Sequence, residues 1–295
     1  MALNKKWFLD KINDFLRNNK ANRMKGVDGI LMFEPDVLVG FASGNDPIFN
    51  LYKKAVGPFH LTPEEAYLKY CEKNNIIPTK GILTVVAFIF PLNQITKKQH
   101  SEYSDKWPCE RWAHTRLYGE ECNLSLQIHL LDELKKEFGI NGVAPMAEDY
   151  LNKLHKNHPN ALYAYPWSHR HMAYASGLGS FGLSDGFLNE KGIAMRCGSI
   201  VIDHELPSDA EKRPSNHYEY CTNCGACIKR CPAGAISFEK RHDKKACREY
   251  VMATTPYIQE HFNIPIYSCG LCFVKVPCQD KLPIKNKKKA RICYK

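Results

Sequence analysis

No run of this chain is apolar enough for long enough to cross a bilayer. The longest, "ILTVVAFIFPL" at 82–92, falls far short of the roughly 20 residues that a spanning helix needs. The start, "MALNKKWFLDKINDFLRNN", has no apolar core of the kind that heads a secretory signal. These absences point to a soluble, cytoplasmic protein with no membrane partner. No internal repeat is visible apart from two cysteine clusters, and no low-complexity tract beyond a short lysine run, which sets solenoids and disordered linkers aside. Acidic residues are in deficit, 31 against 41 Lys and Arg, for a net charge of +10. Part of the surplus sits in the basic tail "KLPIKNKKKARICYK" (281–295). Such a balance permits an RNA or anionic-substrate partner.

What the chain does have is length for one large domain or two ordinary ones, 295 residues, and enough apolar residues for a sizeable core. "WFLDKINDFLRN" places Trp7, Phe8, Ile12, Phe15 and Leu16 at helical spacing, which predicts an amphipathic helix. "GILMFEPDVLVGFAS" reads as a hairpin turning at Glu34-Pro35. Thr62 and Glu65 stand at capping-box spacing with Pro63 at the first helical position, predicting a helix start. "ILTVVAFIF" is too continuously apolar for a half-exposed strand and is assigned to the centre of a sheet. "NLSLQIHLLDELKKEFG" predicts a helix of ordinary length with Leu126, His129, Leu130 and Leu134 on one face and Gly139 as its stop, and "GIAMRCGSIVID" predicts a further strand. Irregular alternation of strands and helices favours an α+β fold with a mixed sheet. A polar, Pro-containing stretch near 207–217 suggests a boundary. The expected layout is an N-terminal layer at 1–80, an α+β domain at 81–212 and a cysteine-rich domain at 213–295.

Thirteen cysteines without an export signal are better explained by metal ligation than by disulfides. Cys221, Cys224, Cys227 and Cys231, followed by Pro232, give Cys-x2-Cys-x2-Cys-x3-Cys-Pro without a gap. In two-cluster ferredoxins three such thiolates hold one 4Fe-4S cluster and the fourth ligates the other. Zinc favours two separate Cys-x2-Cys knuckles, and four thiols in eleven residues crowd a tetrahedral ion. If Cys231 serves a second cluster, Cys269 and Cys272 of "CGLCFVKVPC" supply it with a pair, and Cys278, set apart by a five-residue spacer, is free to complete the first. One ligand is then missing. Cys247 in "HDKKACREYVM" is the candidate, because it lies between the two motifs, whereas Cys71, Cys109, Cys122, Cys197 and Cys293 lie outside both.

Together, "YASGLGSFGLSDGFLNEKGIAMRCGSIVID", "CTNCGACIKRCPAGAIS", the single intervening cysteine and "CGLCFVKVPC" resemble epoxyqueuosine reductase, the cobalamin- and iron-sulfur-dependent enzyme family of tRNA queuosine biosynthesis, whose core is shared with reductive dehalogenases. The resemblance spans about residues 80–295. It implies two 4Fe-4S clusters, with Cys247 a ligand of the second, and a cobalamin-binding α+β domain beside a ferredoxin-like one. It also implies a ferredoxin- or flavodoxin-type electron donor and a small-molecule or tRNA substrate.

"GLGSFG" (177–182) has the letters of a dinucleotide fingerprint, but a helix is expected before it and turn residues follow, so that reading is set aside. In the resembled family this loop, here Gly177, Gly179 and Gly182, lies against the corrinoid. Reduction of a carbon centre also consumes a proton. The family's aspartate donor maps onto Tyr163, and tyrosine is the acid in reductive dehalogenases, so Tyr163 is the catalytic candidate. Tyr165, His169 and His171 stand in the same stretch. The family's Arg-Asp-Tyr-His segment is altered here to "GEECN" (119–123). Arg170 and Arg196 are candidates for anionic groups of corrinoid or substrate, since a guanidinium fork suits phosphate and carboxylate. Cys197 is expected to be a buried structural thiol. The reading that follows is an oxidoreductase relaying electrons through two clusters to a corrinoid; the competing one is a non-catalytic 4Fe-4S electron-transfer module.

Overall fold

A computed structural model describes residues 2–158 and 161–283. In chain order the elements are α1 (Lys5–Asn18), β1 (Leu38–Ser43), α2 (Ile48–Ala55), α3 (Pro63–Asn74), β2 (Thr84–Pro91), α4 (Gln94–Tyr103), α5 (Glu110–Phe138), β3 (Gly142–Val143), β4 (His155–His158) and β5 (Ala161–Ala164). They continue with α6 (His169–Ala175), β6 (Ser180–Phe181), β7 (Phe187–Leu188), β8 (Met195–Ile202), α7 (Ala226–Arg230), β9 (Ile236–Ser237), β10 (Arg241–His242), α8 (Lys244–Ala253) and α9 (Thr255–Phe262). The basic tail beyond 283 lies outside the described residues, as does Cys293.

The principal sheet has the order β1-β2-β8-β3. Every residue of β2 is buried, on both faces of the sheet, which explains its unbroken apolar run. Val86, Phe88 and Phe90 face one core with α1 and α5, while Val85, Ala87 and Ile89 face another with α2, α3 and α6. Each fully buried Phe or Ile here contributes about 1.5–3 kcal/mol. The sheet is thus a middle layer between two helical ones.

The expected mixed sheet is not found: β1–β2, β2–β8 and β3–β8 all pair antiparallel, so the fold is α+β with antiparallel sheets. An apolar run records burial and leaves strand direction open. The hairpin at Glu34-Pro35 is also corrected. Leu31 bridges Arg23 and Phe33 bridges Leu92, whereas the following run forms β1 and pairs with β2; the two halves have different partners and do not meet. The helix expected to begin near 123 starts at Glu110 and runs for 29 residues. It passes through Gly119, where Phe33 and the Arg196 guanidinium come too close for a side chain.

Other expectations hold. In α1, Trp7, Phe8, Ile12, Phe15 and Leu16 are all buried, and Asn4 caps it by accepting from the Trp7 amide. Thr62 and Glu65 form a complete capping box ahead of α3. Gly139 ends α5 in the left-handed conformation at φ 69°.

The cysteine-rich segment packs on this framework at two places. Ile258 and Ile264 bury against Ala113 of α5, and Val276 joins Leu188 and Ile193. The Ile193 amide donates to the Cys278 carbonyl at 2.8 Å and the Ala194 amide to that of Gln279 at 3.2 Å. Gly192 allows this approach, since a side chain there would meet the Gln279 backbone. Lys97 of α4, buried to 1% exposure, pairs with Asp280.

Candidate functional site

Two groups of thiols emerge from these elements. Cys221, Cys224, Cys227 and Cys278 together line one small cavity, closed by Leu188, Ile193 and Val276. Burial, and then the neighbouring Cys221, Cys224 and Cys227, push the Cys278 thiol up to about 12. Burial and the same two neighbours, Cys221 and Cys224, hold Cys227 at about 11. Cys231, Cys247, Cys269 and Cys272 form the second group. Cys269 is raised to about 11 by burial, with Cys247 and Cys231 adding to it, and Cys272 is raised well above the usual range by burial and the charges of Cys269, Cys247 and Cys231. Among the described residues no three His, Cys, Asp or Glu side chains are gathered as closely as a single metal ion requires; thiolates around a four-iron cluster stand farther apart than around one ion.

The local chain explains the grouping. Gly225 and Gly270, at φ 74° in both cases, each turn the backbone between two cysteines into a short helix. Cys247 lies on α8, whose start is capped by Asp243 accepting from the Ala246 amide at 3.0 Å. Cys231 ends α7, and its sulfur accepts from the Ala235 amide at 3.3 Å.

Beside the second group opens a cavity of about 700 Å³, well within the size range of cofactor sites. Cys269 and Gly270 belong to its wall, together with parts of α5, the 165–170 segment and β8. Its apolar lining includes Phe33, Trp112, Trp167 and Phe187, and its polar lining Arg116, Glu120, His169, Arg170 and Arg196. Arg196 donates to Glu120, and burial followed by the competing charge of Glu120 leaves it below the ordinary arginine range. Burial holds His169 down to about 4, so it is neutral. Its Nδ1 lies 2.7 Å from Ser199 Oγ, which itself accepts from Trp167 Nε1 at 3.0 Å. Accepting the Ser199 proton at Nδ1 leaves the ring proton of His169 on Nε2, a buried atom without a partner among the described residues.

The site residues expected from sequence are distributed unevenly. Arg170 and Arg196 line the large cavity; so does Cys197, a buried thiol pushed up to about 12 by burial. Gly182 lines the small thiol cavity. Gly177 and Gly179 face their own chain: a side chain at 177 would meet Asp209 and Lys212, and one at 179 would meet Leu188. As expected, a helix, α6, precedes this loop; the loop itself contributes β6, and the turn residues that follow lead into β7, its antiparallel partner. Tyr163 stands outside the cavity lining, at φ 54° on β5 with the Arg248 guanidinium 4.1 Å over its ring. Tyr165, two residues on, is in the wall. Sequence reasoning missed Trp112, Arg116 and Glu120. Their i, i+4, i+8 spacing on one face of α5 was the available signal, hidden because the predicted helix began only near 123.

Residues 215–237 match the 4Fe-4S binding domain family. Epoxyqueuosine reductase from Francisella cf. novicida (strain Fx1) is 30% identical over 131 residues, 42% of this chain and 35% of that protein, so the match spans about a third of the relative's length. Among solved structures, a catabolic reductive dehalogenase gives a TM-score of 0.45 at 15% identity, covering 85% of this chain and 31% of its own. Epoxyqueuosine reductase from Streptococcus thermophilus gives 0.42 at 14% identity, covering 96% and 68%. Both superpositions are too loose to carry a fold assignment. By sequence, this chain resembles epoxyqueuosine reductase and carries a 4Fe-4S binding domain.

Proposed function

We propose that the protein is an iron-sulfur oxidoreductase in which two 4Fe-4S clusters deliver electrons to a corrinoid seated in the large cavity. The observation that carries this reading is the position of Cys269, at once a member of the second thiol group and part of the cavity wall. In this reading Cys221, Cys224, Cys227 and Cys278 hold the first cluster, and Cys231, Cys247, Cys269 and Cys272 the second. Cys224 is exposed, which suits the first cluster to receive electrons from a ferredoxin- or flavodoxin-type donor. The layer at 1–80, the cavity-bearing region at 81–212 and the cluster region at 213–295 are the proposed division of labour.

The cavity residues suit a corrinoid, a broad macrocycle with apolar faces and a rim of amides. Flat apolar walls are supplied by Trp112, Trp167 and Phe187, and rim partners by Arg116, Arg196 and the unpartnered His169 Nε2. When bound, a corrinoid supplies two-electron reduction of an organic substrate. The chain's own work is to hold it, exclude water and deliver a proton. Arg196, fixed by Glu120, presents its remaining N–H groups to the cavity. In this reading the proton donor is Tyr165, which lines the cavity, in place of Tyr163, which does not. An epoxide-bearing nucleoside of tRNA is the substrate class that the resemblance suggests.

Anaerobic reconstitution tests the reading. The protein should take up about eight irons, and added cobalamin should shift its absorbance. Uptake of about four irons would refute the two-cluster scheme. Eight irons without corrinoid binding would leave an electron-transfer module and refute the catalytic reading.

A further inference from the structure

Several partly or fully buried cations in this chain meet a carboxylate: Lys97 meets Asp280, Arg111 meets Asp28, Arg196 meets Glu120 and Arg213 meets Asp46. Three cations near the cavity mouth, Arg170 and Lys244 exposed and Arg248 partly buried, do not. Arg170, in the cavity lining, donates to the backbone carbonyl of Asp185. Lys244 donates to the carbonyl of Leu162 at 3.3 Å. Arg248 lies flat over the Tyr163 ring at 4.1 Å. The Asp185 carboxylate, whose charge also acts on Lys244, is engaged 3.2 Å from His242 Nδ1. Among the described residues none of the three forms an ion pair.

Their placement is convergent. Lys244, Arg248 and Val251 fall at i, i+4 and i+7 on α8, hence on one face, and Val251 is in the cavity wall. Both cations of that face contact residues 162–163 of β5, in the β4–β5 pair. Arg170 is close enough to Lys244 that, after desolvation, its charge is the next cause holding that ammonium below the ordinary lysine range. Like charges one turn apart destabilise a helix, and the strain is relieved when an anion bridges them. Guanidinium forks and an ammonium match the oxygens of a phosphate ester.

We propose that Arg170, Lys244 and Arg248 form a phosphate-ester subsite at the mouth of the cavity, with Tyr163 as the platform that fixes Arg248. This gives Tyr163 a positioning role outside the reacting centre. The subsite rests on the proposed function only for its occupant, which is either the phosphodiester of the corrinoid or an ester of the substrate.

The test uses the full iron-loaded chain and titration calorimetry with inorganic diphosphate. Lys244→Gln/Arg248→Gln should weaken binding about tenfold, with iron content unchanged, while the charge-keeping Lys244→Arg/Arg248→Lys should retain most of it. Binding should also weaken as salt rises. Equal diphosphate affinity in wild type and the Gln variant overturns the subsite. Cobalamin and cobinamide, which lacks the phosphodiester, then identify the source. If the Gln variant loses the wild-type preference for cobalamin, the ester is the cofactor's; if it keeps that preference yet loses diphosphate, the ester is the substrate's. Diphosphate binding without any corrinoid binding would leave the subsite standing and refute the cavity reading alone.

Discussion

Substituting Gly198 by Ala should damage the cavity from inside the sheet. Gly198 lies on β8 directly opposite Phe88 of β2, two residues after Arg196. A methyl carbon there would overlap the edge of the Phe88 ring and stand 2.6 Å from Asn123 Oδ1, where ordinary contact begins at about 3.5 Å. Phe88 and Asn123 are both fully buried, so neither can swing into solvent. Asn123 also donates to the Cys197 carbonyl at 3.2 Å, which ties α5 to β8. The alternatives are an off-rotamer Phe88 or a displaced α5, and either costs about 1–3 kcal/mol, with this overlap at the upper end. Unfolding entropy of about 2.1 cal/mol/K per residue over 295 residues is about 0.6 kcal/mol/K, so the melting temperature should fall by about 5 °C. Because Glu120 is one turn from Asn123 on α5 and Arg196 is on β8, the cavity pair should loosen and corrinoid affinity should fall with it. Gly81→Ala is the control: its new carbon would meet only Thr79 Oγ1 at 3.4 Å, and it should melt within about 1 °C of wild type. Calorimetric unfolding of the two variants decides the matter. A Gly198→Ala protein as stable as Gly81→Ala would refute the packing described between α5 and β8.

Cys247→Ser and Cys278→Ser should each cost one cluster, about four irons of eight, while Cys71→Ser, outside both groups, should keep the full content; equal iron in all three would overturn the partition. Burial holds His60 and His169 down to about 4 and His171 to about 3. Their folded values lie below the unfolded value of about 6.5. The stabilisation is therefore complete above about pH 6.5 and is lost as pH falls toward 4. Melting temperature measured from pH 7.5 down to 4.5 should decline, and His60→Phe should flatten the decline; a level profile would contradict the burial of these rings. Asp280→Ala strands the buried Lys97 ammonium and should cost about 2–3 kcal/mol, less than a fully buried pair because Asp280 is 40% exposed. The double change Lys97→Met/Asp280→Leu should recover most of that in urea unfolding, and failure of the double to recover would show that the loss came from elsewhere.

The parts of the fold legible in the sequence are those in which one segment contains its own reason. The α1 stripe, the Thr62–Glu65 box and the all-apolar β2 are of that kind, and so is the four-cysteine motif with its proline. Features fixed by two distant segments were not legible. Phe33 and Leu31 find partners fixed by tertiary register. The first half of α5 has no clean period because Trp112, Ala113, His114 and Thr115 are all buried in succession, so its cavity face stayed hidden. Strand direction could not be read from β2, since burial on both faces looks the same in either orientation. The two tyrosines show the same limit: the resemblance maps the donor onto 163, with 165 in the same stretch, but Tyr163 has a left-handed backbone and its ring lies under Arg248, and only Tyr165 lines the wall.

Cys278 has a consequence for the order in which the protein can mature. Of the eight cysteines in the proposed scheme it is the last to be synthesised, yet it belongs with the first three, and the backbone beside it is held by Ile193 and Ala194. A growing chain that has exposed Cys221 to Cys231 offers three thiols for one cluster and a single one for the other. Neither set can close before residue 272, and the first not before 278. On the proposed ligation, iron insertion is therefore an event of the nearly finished polypeptide, and docking of the segment around Cys278 onto the 192–194 turn is the step at which loading and final folding become one process.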